Sequence, residues 1–173
     1  MELINRGASA GAFHDTLEHY VTKEIFSKLS AEQKRVLTVL SVFRESVSLD
    51  ALLAHELDID VLDSLVEQGL ARQVDVDVYD VHDLIREFLV RSIDEQTKQT
   101  VHSNCAMYYS KLSKSSETTL EQIYHELASE HEQEAIEKIV EFGRQLVSQG
   151  HLELLSLIAV SYTHLTLPTT PYV

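Results

Sequence analysis

Val78–Val90 reads VYDVHDLIREFLV, and the way this stretch divides decides the fold. Its first half alternates apolar and polar side chains, the period of a half-buried strand. Its second half sets Leu84, Ile85, Phe88 and Leu89 at three- and four-residue intervals, the period of an amphipathic helix. The change falls at His82 and Asp83, and Asp83 stands where an N-cap belongs. Backbone N–H groups at a helix start are unpaired and point outward, so an imidazole beside them makes an anion-reading corner.

Working back from this stretch, Leu70–Val74 and Val76–Val81 read as two strands joined by a tight acidic turn. Before them come helical patterns. Leu17, Val21, Ile25, Phe26 and Leu29 form one apolar stripe over His14–Leu29. Ser30 and Gln33 form a capping box, followed by Val36, Leu37, Leu40 and Phe43. Val47 reads as a short extended link, Ser48 caps a helix carrying Leu49, Leu52 and Leu53, and Asp58 or Asp60 starts another that Gly69 stops in the left-handed conformation. Three helices followed by a hairpin is the winged-helix order.

Working forward, the chain becomes all helix. Glu95–Leu112, Leu120–Glu130, Gln133–Ser148 and His151 to about Val160 are expected as paired helices with short links, in the manner of tetratricopeptide-like hairpins. Tyr108, Tyr109, Leu112, Ile123, Tyr124, Leu127, Ile136, Ile139, Val140 and Phe142 are expected between them. Residues 161–173, SYTHLTLPTTPYV, hold both prolines and no acid; they read as a translated cloning scar, with a genuine β-forming tail as the alternative. The expected layout is a flexible segment 1–13, a winged-helix domain with its preceding linker helix at 14–94, a helical-repeat-like region at 95–160 and a non-native tail at 161–173. The fold class is mainly α.

Composition narrows the function. Twenty-eight Asp and Glu against 14 Lys and Arg give a formal charge of −14, which opposes non-specific binding to nucleic acid or anionic lipid. The single Cys105 excludes an internal disulfide and suits a reducing cytoplasm. No apolar run approaches the roughly 18 residues of a membrane span. Gly7 and Gly11 bracket a small-residue loop, but no Lys-Ser or Lys-Thr follows, so the chain has no phosphate-cradling P-loop. No other catalytic constellation stands out, and the chain is expected not to be an enzyme by itself.

Three stretches, LSAEQKRVLTVLSVFRE (Leu29–Glu45), LVEQGLARQ (Leu65–Gln73) and VYDVHDLIREFL (Val78–Leu89), together resemble the STAND-class signalling NTPases, the group containing the NB-ARC ATPases. The resemblance covers about Leu17–Leu112, and more loosely the helices beyond. It implies a winged helix lying between a nucleotide-binding domain and a helical-repeat sensor. It also implies that the Met-His-Asp motif of that family is represented here by Val81, His82 and Asp83, with the histidine touching the β-phosphate of bound ADP in the closed, inactive state. Val in place of Met keeps an apolar anchor. The P-loop, the Mg²⁺-binding acid and the arginine sensors of the family have no counterpart in this chain. ADP or ATP with Mg would therefore be held by an absent NTPase domain of a longer parent, itself an ATPase, and a protein effector would act on the repeats. A helical protein-interaction scaffold that never meets nucleotide is the competing reading.

Other constellations are weaker. A winged-helix DNA binder would recognise through Asp60–Gln68, which carries Asp60, Asp63 and Glu67 and no Lys or Arg; the hairpin adds Asp75, Asp77 and Asp80 against Arg72. Such a face repels phosphates. His14, Glu18 and His19, and separately His125 and His131, match no zinc spacing and read as solvated helix-face residues. His102 and Cys105 lie one helical turn apart but lack the third group that a thiol nucleophile needs, so they read as core. Of Tyr108 and Tyr109, one is expected buried and one partly exposed.

Overall fold

The first well-defined helix begins where two side chains exchange bonds with the backbone. In the computed structural model, which describes residues 25–152 and 156, the Ser30 hydroxyl accepts the Gln33 N–H at 3.1 Å and the Gln33 carbonyl accepts the Ser30 N–H at 3.0 Å. Two of the four orphan donors of the helix start are thereby satisfied. Helix α1 spans Ala31–Val42 and buries Val36, Leu37 and Leu40, with Phe43 buried just beyond it. The chain divides between Ile93 and Asp94 into two compact units.

In the first unit, the helix expected over His14–Leu29 lies mostly outside the described residues. Its end is a 3-10 turn, Phe26–Lys28, with the Phe26 ring edge-on to Phe88 at 5.4 Å. Val47, expected as a link, is a strand: β1 (Val47–Ser48) pairs antiparallel with β3, placing Val47 opposite Tyr79. Ser48 caps α2 (Leu49–Leu53) and Asp58 caps α3 (Ile59–Glu67). At Gly69, φ is +71°, and N–H groups of Gly69 and Leu70 close back onto the carbonyls of Val66 and Leu65. A side chain there would meet the strain of the left-handed region, which is why glycine ends this helix.

The hairpin follows as β2 (Ala71–Asp75) and β3 (Val78–Val81), with Asp77 at positive φ in the turn and a bulge between Gln73 and Asp75. The sheet order is β1-β3-β2, so the strand that leads to His82 is central and paired on both sides. Helix α4 (Asp83–Ser92) then packs on α1. Leu37, Leu40, Leu52, Leu62, Leu65, Val81 and Leu89 are all buried, each stabilising the unit by about 2 kcal/mol relative to exposure. Leu53 and Leu84, read as part of the apolar pattern of their helices, are 42% and 46% exposed.

The second unit is built of α5 (Glu95–Lys111), α6 (Ser116–Ala128) and α7 (Glu132–Ser148). Helix α5 packs on α6, and α6 on α7. The second helix begins four residues before the expected Leu120, because Ser115 and Thr118 form another capping box. Leu120, Ile123, Ala135 and Leu146 form the core, with Leu127, Ile139 and Phe142 against it. Val140, expected there, is 78% exposed. The inward face of α7 runs through Ala135, Ile139, Phe142 and Leu146, and Val140 lies off that line by about 100° from its neighbour Ile139. The turn between α6 and α7 sets Glu130 at φ +64°, with the His131 N–H on the Glu126 carbonyl.

The described fold is thus mainly helical with one small antiparallel sheet. No helix among the described residues is long and apolar enough to cross a membrane. The expected segment 1–13, the helix expected from His151 (beyond its first residues) and the tail 161–173 lie outside the described residues.

Candidate functional site

At the end of β3, Val81 is fully buried between strand and helix, and the next residue turns outward to solvent. The sequence places the helix cap at Asp83; the structure places it one residue earlier. His82 has extended φ and ψ, and its Nδ1 accepts the Leu84 N–H at 3.3 Å. Its carbonyl accepts the N–H groups of Ile85 and Arg86 at 2.9 Å. Asp83 is then the first helical residue, exposed, with its carboxylate beside the positive end of the helix dipole. Aspartate is favoured at both positions, and an imidazole nitrogen is an uncommon cap, so residue preference pointed to the wrong one of two adjacent positions.

The cap fixes the chemistry of the ring. A neutral imidazole has one acceptor nitrogen and one N–H. With Nδ1 accepting from the backbone, the proton sits on Nε2, on an exposed ring at a helix N-terminus. The corner therefore offers an exposed N–H donor at the start of α4, where the N–H groups of Leu84, Ile85 and Arg86 are already taken by His82 itself.

Behind the corner lies a charge bridge that the sequence reading missed. Asp80, 16% exposed at its side chain, receives Arg86 on one oxygen at 2.5 Å and Arg72 on the other at 2.6 Å. Arg86 also donates to the carbonyls of Leu40 at 3.3 Å, Ser41 at 3.4 Å and Phe43. These belong to the end of α1, where helical carbonyls lack intrahelical partners. The signal available in the sequence was an Arg four residues after His82 and an Asp two residues before it, a spacing that gives no hint of the third element. Asp80 is consequently not part of the open acidic face. That face consists of exposed Asp60, Asp63, Glu67, Asp75 and Asp77, and Arg72 is already engaged by Asp80.

In the second unit, His102 and His125 are both buried, with their Nδ1 atoms 2.8 Å apart. His125 is therefore not the solvated histidine expected from sequence, whereas His131 is exposed. Tyr109 stacks on the His125 ring at 5.6 Å and Tyr124 meets both rings edge-on. Tyr108 and Tyr109 are each half-buried, in place of one buried and one partly exposed. Burial, and then the Lys98 charge, lower the His102 pKa to about 4. Cys105 is fully buried, and burial pushes its thiol well above the usual range, so it is held as the unreactive thiol. Glu126, also buried, accepts from Lys138 and Gln122, each at 2.8 Å. A cleft of about 220 Å³ lies beside the start of α6, lined by Lys114, Ser116, Phe142 and Gln145; the Glu117 carboxylate already occupies that helix start. Among the described residues no group of three or more His, Cys, Asp or Glu could hold a metal. His14, Glu18 and His19 lie outside them.

No family model matches the chain, and no curated protein does. Among solved structures it is similar to a Signal Transduction ATPase with Numerous Domains (STAND) protein with a tetratricopeptide repeat sensor from Pyrococcus horikoshii. The identity is 25% and the TM-score 0.62, over 75% of this chain and 21% of that one. The chain thus spans about a fifth of that protein's length. The likeness supports a relation to proteins of the STAND and tetratricopeptide type.

Proposed function

We propose that this chain is the regulatory part of a nucleotide-switched signalling ATPase. In this reading residues up to Ile93 form a winged helix and those from Asp94 begin a helical sensor. The observation that carries the proposal is the cap at His82. Because Nδ1 is used by the Leu84 N–H, the ring presents Nε2–H to solvent, the form that donates to a phosphate oxygen. Val81, buried beneath it, anchors the strand end, and Asp83 stabilises the helix start without blocking the imidazole.

The β-phosphate of ADP, bound with Mg on an NTPase domain outside this chain, would accept from His82 in the closed state. An effector on the helical hairpins would shift the balance toward the open state, by as much as its affinity differs between the two. The acidic face of α3 and the hairpin disfavours duplex DNA as the ligand of the winged helix, since phosphate contacts need uncompensated cations. A self-contained protein-binding scaffold would share the helices but have no use for an outward N–H at this corner.

The test is replacement of His82 by Ala in the parent protein that carries this chain together with its NTPase domain. ADP release should accelerate about tenfold or more, the loss expected for one charge-assisted hydrogen bond. Unchanged release and unchanged signalling output would overturn the proposal. A reading frame that lacks any GxxxxGK[ST] sequence ahead of this chain would do the same.

A further inference from the structure

The bridge behind His82 joins three pieces of the first unit that the nucleotide reading leaves unrelated. Asp80 is the penultimate residue of β3, Arg86 is on the first turn of α4, and Leu40, Ser41 and Phe43 are at the end of α1. His82 lies between Asp80 and Arg86 in sequence, so any bond between those two closes a loop around it. That loop is short and tightly held. Asp80 Oδ1 accepts both the Arg86 guanidinium and the Val81 N–H, the latter at 2.8 Å. Its length leaves the backbone of His82 little freedom, and a side-chain cap at 3.3 Å depends on where that backbone is held.

The second half of the bridge sets where the loop lies. A guanidinium has five N–H donors in a fixed fork, so Arg86 can hold a carboxylate with one nitrogen while the other meets a row of carbonyls. Here Nη2 takes Asp80 and Nη1 takes the end of α1. Arg72 holds the other oxygen of the same carboxylate at 2.6 Å but is 50% exposed. Of the two arginines on Asp80, Arg86 is the one that also bonds the end of α1.

We propose that Arg86 is a positioning residue for the His82 corner: by linking Asp80 to the carbonyls that end α1, it holds the imidazole with Nδ1 on the Leu84 N–H and Nε2–H outward. A shift of the α1 end would then pass directly to the direction of the Nε2–H. This regulation of the corner rests on the nucleotide reading only for what the Nε2–H meets; the positioning itself is a property of the chain alone.

The experiment uses the full 173-residue chain without nucleotide. Long-range proton–nitrogen NMR of the His82 ring at alkaline pH reads which nitrogen carries the proton. In the unsubstituted chain the Nε2–H form dominates. In Arg86→Gln the ratio of Nε2–H to Nδ1–H forms falls severalfold, while Arg72→Gln, which leaves the link to α1 in place, keeps it. An unchanged ratio in folded Arg86→Gln overturns the proposal, and so does an equal fall in Arg72→Gln. Should Arg86→Gln not fold, Asp80→Asn and Arg86→Lys give the same reading: a fall in both supports the proposal and no change in both overturns it. Failure of the nucleotide reading is separately visible, as normal ADP release by the His82→Ala parent while Arg86→Gln still lowers the His82 ring ratio in the chain alone.

Discussion

Two histidines in this chain do opposite things with the same ring. In the first unit His82 is exposed and uses one nitrogen to cap a helix, with the rest of the ring on the solvent side. In the second unit His102 is buried against His125, and the two Nδ1 atoms satisfy one another beside Tyr109 and Tyr124. The first corner is held by charges that converge on it from outside; the second is held by packing, with the polar contact enclosed. A polar group that is meant to meet a partner needs rigid support behind it and solvent in front, whereas one that joins two helices must be satisfied within the pair.

The sharpest way to break the contrast is to remove the support of the first corner. Arg86→Ala leaves Asp80 with Arg72 and the Val81 N–H and strips three carbonyls at the end of α1 of a donor, and it should cost about 3 kcal/mol, read by urea denaturation of the first unit. Acid acts on the second. The unfolded chain takes up a proton at the ordinary histidine pKa of 6.5, while folded His102 resists it until about 4. Stability is therefore complete above 6.5 and lost as pH falls through that window, by about 3 kcal/mol. His55, lowered to about 4 by burial and then by Arg35, gives the first unit the same sign. His102→Gln separates the two: amide exchange on α5 should lose most of its acid sensitivity while exchange in α1 keeps it.

His82→Ala should cost the isolated chain only about 1 kcal/mol, the value of one helix cap, seen as a small fall in thermal midpoint. A large loss of stability there would make the corner a structural element like the His102 pair. The smallest effect is expected at Glu130, whose φ of +64° is strained for any residue with a Cβ. Glu130→Gly should be neutral to stabilising by up to about 1 kcal/mol in denaturation, since relief of strain is offset by a more flexible unfolded chain and by loss of the bond that Gln99 donates to Glu130.

What the sequence revealed was local. The Ser30–Gln33 box, the Ser48 and Asp58 caps, the stop at Gly69 and the hairpin are all written within a few residues, and each is found at its expected place or within a residue or two of it. The corner itself, His82 beside Asp83 at the change of period, was legible for the same reason. What escaped was set by distant partners. Two residues are too few to show alternation, so β1 was invisible until β3 lay beside it. His125 faces His102 from another helix 23 residues away. Arg86 reads as a charge on an amphipathic helix, and only the fold brings the end of α1 within its reach. Val140 failed differently: periodicity places it near an apolar stripe, but the neighbouring helix decides how wide the buried part of that stripe is.

The pairing of Val47 with Tyr79 has a consequence for time as well as for shape. In the second unit each helix meets the next one along the chain, so contacts can form as soon as the following turn has closed, and loop closure costs little. In the first unit β3 cannot acquire its outer neighbour until α2, α3 and the hairpin lie between them in order. The strand that presents His82 is therefore completed late, and a chain emerging from the ribosome would assemble its helical hairpins by a quicker route than the corner that precedes them.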